Sequence, residues 1–115
     1  MSERIAITGI GIVSALGTGV AANRERLLHS ESGLSLLQKV ESTYQNKIVV
    51  GEVTATNQEL AQTLNLPTKH NYTRTALLGC IAAKEAVKQA GIEDIKAFKT
   101  GLVSATTVGG MDQTE

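Results

Sequence analysis

Few residue types in this sequence carry chemistry: one cysteine, two histidines and a glycine-patterned opening. Cys80 would act as a nucleophile only as a thiolate, which needs a helix N-terminus, a cation or a base beside it. It stands instead inside the apolar run ALLGCIAA, where helical amides are already bonded, so it reads as a small buried hydrophobe. His29 and His70 lie in polar surroundings near helix ends and read as surface residues rather than bases or metal ligands. Lys84, Glu85 and Lys88 read as a solvated helix face. With a single cysteine, neither an internal disulfide nor a CxxC site is available, and a reducing compartment, the cytoplasm, is expected.

The opening TGIGIVSALGTG invites a phosphate-binding reading. Gly9 and Gly11 would make a tight turn and admit a pyrophosphate to a helix N-terminus. The fingerprint, however, wants a third glycine three residues on, where Ser14 stands, and an acid about 20 residues further. The only acid in the next apolar run is Glu52, far beyond that spacing. A structural role, as a turn or a place where backbones approach, is favoured; a nicotinamide-dinucleotide domain is the alternative. At the other end, TGLVSATTVGGMDQTE places Gly109 and Gly110 after an apolar run. They would let the backbone pass close to a neighbour, with Asp112, Gln113 and Glu115 near a helix start.

These groups are positioned by alternating apolar runs and helical patterns. Residues 4–13, RIAITGIGIV, form a near-continuous apolar strand of the kind covered on both faces. Thr18 is a candidate N-cap for the helix that follows, and Gly33 its stop. Residues 34–46 show no period, and a short strand is expected over 48–53. Asn57 is a candidate cap for the two-turn helix NQELAQTLN, which Pro67 ends. Residues 72–90 carry the clearest helix, with Leu77, Cys80, Ile81 and Val87 in the 3.6 period and Gly91 suited to the left-handed position after it. Its small, apolar middle predicts deep burial. KTGLVSATT is expected as a further strand.

Helices between apolar strands predict an α/β class with a mostly parallel sheet covered by helices. At 115 residues the chain is one domain at most, burying roughly two thirds of its unfolded surface. Three strands and two substantial helices leave one sheet face short of cover, so residues 1–115 are expected to be the first part of a larger domain. Unpartnered edges predict association or support from other sequence. Eleven bases balance eleven acids, so no field of one sign favours nucleic acid or an anionic membrane. No run approaches the roughly 18 apolar residues of a membrane span, and the N-terminus is unlike a signal peptide.

Taken together, RIAITGIGIVSALGTG, SGL at 32–34, GEV at 51–53, RTALLGCIAAKEAVKQAGI at 74–92 and TGLVSATTVGGMD at 100–112 resemble the opening of a β-ketoacyl-acyl-carrier-protein synthase. The resemblance spans nearly the whole chain in the same order and spacing. It departs at Ala15, where that family often has proline, and at SATTVGG, which replaces a more glycine-rich stretch. The family implies an incomplete thiolase-like fold and decarboxylative condensation of an acyl thioester with malonyl-carrier protein, without a cofactor. It also implies acyl carrier protein as a partner, and a homodimer or a heterodimer with another condensing chain. A non-catalytic partner subunit of the same family is the second reading. The family's nucleophilic cysteine and two histidines map to no position here, and Cys80 lies upstream of that nucleophile. Thr107, Val108 and Gly109 resemble the part that approaches the acyl pocket, with Val108 as its wall.

Overall fold

The computed structural model describes residues 3–110. A hairpin of β1 (Val13–Ser14) and β2 (Gly17–Thr18) leads into α1 (Val20–Leu28). β3 (Ser35–Leu36) then pairs with β4 (Val49–Val50), and α2 (Asn57–Thr63) and α3 (Arg74–Gln89) follow. Both strand pairs are antiparallel, with Val13 opposite Thr18 and Ser35 opposite Val50.

The parallel sheet expected from the apolar runs is therefore absent among the described residues. Residues 4–12 and 99–106 join no ladder. The reason is supply: such strands need neighbours on both edges and cover on both faces, and the described residues offer neither. Ile5 is 96% exposed, Leu102 85% and Val103 100%. Within 34–46, where no period is visible, β3 exists because β4 is there to pair with it.

The core lies between α2 and α3. Leu60 and Ala61 of α2 pack on Leu77 and Ile81 of α3, with Val13, Ala55, Leu64, Leu66 and Leu78 around them. Leu77 is wholly buried, a contribution of about 1.5–3 kcal/mol. The expectation of a deeply buried α3 holds for one face only: Gly79, Cys80 and Ala83 are exposed, because α2 and the hairpin pack on the other side.

Local chemistry fixes the helix ends, at positions adjacent to those expected. Thr56, not Asn57, caps α2: its hydroxyl accepts from the Glu59 amide at 3.2 Å, and the Glu59 carboxylate accepts from the Thr56 amide at 2.7 Å. The reciprocal bonds satisfy two otherwise orphaned donors. Asn65, at φ 56°, turns the chain before Pro67. The cap of α1 is Gly19, not Thr18, and the helix closes through His29 and left-handed Ser30 (φ 55°) before Gly33 is reached. Thr73 caps α3 by accepting from the Ala76 amide, and Gly91 takes the left-handed conformation after it, at φ 70°.

Candidate functional site

The N-terminal glycines seat residues 4–12 on α3. A Cβ at Gly9 would stand 2.0 Å from the Ala86 carbonyl oxygen, and one at Gly11 1.8 Å from that of Ala82. Only glycine lets the two backbones approach so closely.

The same face of α3 supplies hydrogen-bond acceptors one turn on. Gln89 Oε1 accepts from the Ile10 amide at 2.6 Å, and Glu85 Oε2 from the Ile12 amide at 3.0 Å. Glu85 Oε1 accepts from the Val20 amide at 2.7 Å. Its carboxylate thus joins residues 4–12 to the first turn of α1, where the helix dipole favours a negative charge. Glu85 is therefore half-buried and structural, not part of the solvated face expected for it. Lys84 and Lys88 are exposed, as that expectation had them.

Asn23 completes the hairpin and went unnoticed in the sequence. It is 4% exposed, and its Nδ2 donates to the carbonyls of Gly17 (2.9 Å) and Gly19 (2.8 Å) while Ser14 Oγ donates to its Oδ1. At the tip of the hairpin, Ala15 brings two distant motifs together. A Cβ at Gly33 would lie 2.8 Å from the Ala15 carbonyl carbon, and one at Gly51 3.5 Å from Ala15 Cβ.

A cleft of about 540 Å³ lies between the 38–40 turn and Arg74, with Glu52, Thr56 and Asn57 in its wall. Two of its charged groups, Glu52 and Arg74, are engaged in holding the chain together. Glu52 accepts from the amides of Gln38 (2.8 Å), Lys39 (3.1 Å) and Val40 (3.3 Å). These bonds, that from Gln38 foremost, hold its carboxyl below the usual glutamate range. Arg74 donates to Asn57 Oδ1 and to the Val53 carbonyl, both at 2.8 Å.

The remaining candidates do not converge. Cys80 is exposed, which corrects the buried hydrophobe expected at that position; it sits on the uncovered side of α3. His29 is exposed, with Nδ1 3.0 Å from the Glu25 carbonyl. His70 stacks edge-on with Tyr72 at 5.8 Å and accepts from the Tyr72 amide. No cluster of three or more metal-ligating side chains exists among the described residues, and no described helix is long and apolar enough to cross a membrane.

Thr107, Val108 and Gly109 lie in a turn rather than at the end of a strand. Thr106 Oγ1 accepts from the Gly109 amide at 3.1 Å, and Gly109 is left-handed at φ 59°. Thr75 Oγ1 donates to the Gly109 carbonyl at 2.6 Å. A Cβ on Gly110 would stand 2.5 Å from Thr73 Cγ2, so the second glycine is needed for the chain to pass the cap of α3. Val108 is 60% exposed at the middle of this turn. The acids of 112–115 lie outside the described residues.

Residues 2–115 match the model of the β-ketoacyl synthase N-terminal domain. The chain belongs to that family, whose fold is the N-terminal part of the thiolase-like architecture. It is 27% identical over 116 residues to the 3-oxoacyl-[acyl-carrier-protein] synthase 2 of Staphylococcus aureus strain N315, covering 99% of this chain and 28% of that protein. The same enzyme of strain COL is 26% identical over the same shares. The chloroplastic 3-oxoacyl-[acyl-carrier-protein] synthase I of Arabidopsis thaliana is 44% identical over 41 residues, which are 36% of this chain and 9% of that one. The chain spans little more than a quarter of the length of the Staphylococcus relatives. No solved structure matches.

Proposed function

We propose that this chain is the scaffolding part of a condensing enzyme of the 3-oxoacyl-[acyl-carrier-protein] synthase kind. Such an enzyme takes an acyl group from carrier protein onto a cysteine and condenses it with malonyl-carrier protein, releasing carbon dioxide and using no cofactor. The nucleophile and the two histidines that stabilise the developing enolate oxygen belong to sequence other than these 115 residues. Acyl carrier protein is the delivering partner, and a second condensing chain, identical or homologous, completes a dimer. The mostly parallel thiolase-like sheet forms when the exposed apolar segments meet the rest of the domain.

The observation that carries this reading is the family match running from residue 2 to residue 115. The seating of Gly9 and Gly11 on α3 supports it, since it gives those glycines a backbone-packing role. Thr107, Val108 and Gly109 form part of the acyl-pocket wall, with Val108 the residue that limits chain length. The polypeptide of 115 residues is inactive by itself. The test is an acyl-transfer assay of this polypeptide beside its Cys80→Ala variant. No turnover in either is the expected result; turnover that the substitution abolishes overturns the assignment.

A further inference from the structure

Among the described residues, residues 101–110 are tied to the rest of the chain by one hydrogen bond, from Thr75 Oγ1 to the Gly109 carbonyl at 2.6 Å. The turn is otherwise closed on itself, with Thr106 Oγ1 accepting from the amides of Val108 (3.4 Å) and Gly109 (3.1 Å). Beside the tether, Gly110 lies against the Thr73 side chain, and Thr73 is itself fixed as the cap of α3. The first turn of the longest helix thus presents a hydroxyl donor and a steric stop to the turn that carries Val108. Leu102 and Val103, upstream of that turn, make no comparable contact and are nearly fully exposed.

We infer that Thr75 is a positioning residue for Val108: its hydroxyl fixes the turn bearing the acyl-pocket wall and so sets which acyl chain lengths the pocket accepts. This rests on Val108 being that wall. Pocket depth depends on where the Val108 backbone stands as well as on the size of its side chain. A tether one residue away, to a rigid helix, controls the former. Losing one neutral hydrogen bond changes an equilibrium by about two- to tenfold, and that is the scale expected for the shift in selectivity.

The experiment uses the full-length gene product that carries this sequence, assayed with saturated acyl thioesters of increasing length. Thr75→Val keeps the side-chain shape and removes the donor; Thr75→Ser keeps the donor. The expected result is a change of about two- to tenfold in the ratio of kcat/KM between neighbouring chain lengths for Thr75→Val, with the parental profile retained in Thr75→Ser. A Thr75→Val enzyme slowed equally on every chain length, or unchanged, overturns the inference. Should that variant fail to fold, Gly110→Ala decides, because its methyl displaces the same turn from Thr73: a shifted profile supports the inference and a uniform one overturns it. Val108→Ala and Val108→Phe run in parallel. If they shift the profile while the Thr75 and Gly110 variants do not, only the positioning role is lost; if they leave it unchanged, the wall reading itself falls and the inference with it.

Discussion

Residues 4–12 and residues 101–108 share an apolar, β-branched and glycine-containing composition, yet the chain treats them differently. The first segment lies on α3, seated at Gly9 and Gly11 and bonded through the Ile10 and Ile12 amides to Gln89 and Glu85. The second stands away from the body, held at its far end by Thr75. The difference resides in the partner. α3 offers the N-terminal segment alanines at 82 and 86 and acceptors at 85 and 89, all on one helical face, whereas residues 101–105 meet no such face. Strand-like composition marks a segment as able to pack; complementary small residues and acceptors decide whether it does.

The sharpest way to break this comparison is a pair of alanine substitutions. Gly11→Ala drives a methyl into the Ala82 carbonyl and should cost about 3 kcal/mol, while Gly101→Ala, with nothing within 4 Å of its new methyl, should change stability by about 0.5 kcal/mol or less. Denaturant midpoints measure both. Equal losses would show that the two segments are docked alike. Next in size, Glu85→Ala should cost about 2 kcal/mol, since it strips the acceptor from the Ile12 and Val20 amides together. Hydrogen exchange should then quicken at those two amides and leave 101–108 unaffected.

The smallest effect is one of pH. The folded-state carboxyl of Glu52 lies below its ordinary value because three amides donate to it, that of Gln38 most strongly. A depressed carboxyl contributes stability that is complete above the ordinary glutamate range and fades as pH falls through the lowered folded value. The Gln38 and Lys39 amide resonances should therefore titrate together, with a midpoint below that of a free glutamate, and Glu52→Gln should abolish the titration. A midpoint at the ordinary value would show the clasp to be open in solution.

The helices were legible in the sequence because their causes are local. The 3.6 period of Leu77 and Ile81, the glycine at 91 and the polar start of α2 all act within a turn or two, and the observed bounds fall close to those expected. The cap of α2 moved by one residue because the threonine before the candidate had the better geometry: Thr56, not Asn57, reaches the Glu59 amide. Strands were less legible, since a ladder needs a distant partner that composition does not name. The packing role of Gly9 and Gly11 was readable as one of two alternatives, while the part α3 plays in it was not. Glu85 and Gln89 at i and i+4 beside Ala82 and Ala86 were the available signal, and a polar pair on a helix surface ordinarily means solvent. Cys80 was misplaced for the complementary reason. An apolar run suggests burial all round, but a helix is buried only where another element meets it.

Ala15 shows how separate short motifs act as one object. The hairpin tip, the glycine after Ser32 and the glycine before Glu52 meet at one residue, with no room for a methyl at Gly33 and ordinary contact room for one at Gly51. A methyl added at position 33 would press on the backbone of the tip, whereas one at position 51 would only touch the Ala15 methyl, at 3.5 Å. Gly33→Ala should therefore disturb the hairpin tip and Gly51→Ala should not, although both glycines face the same residue.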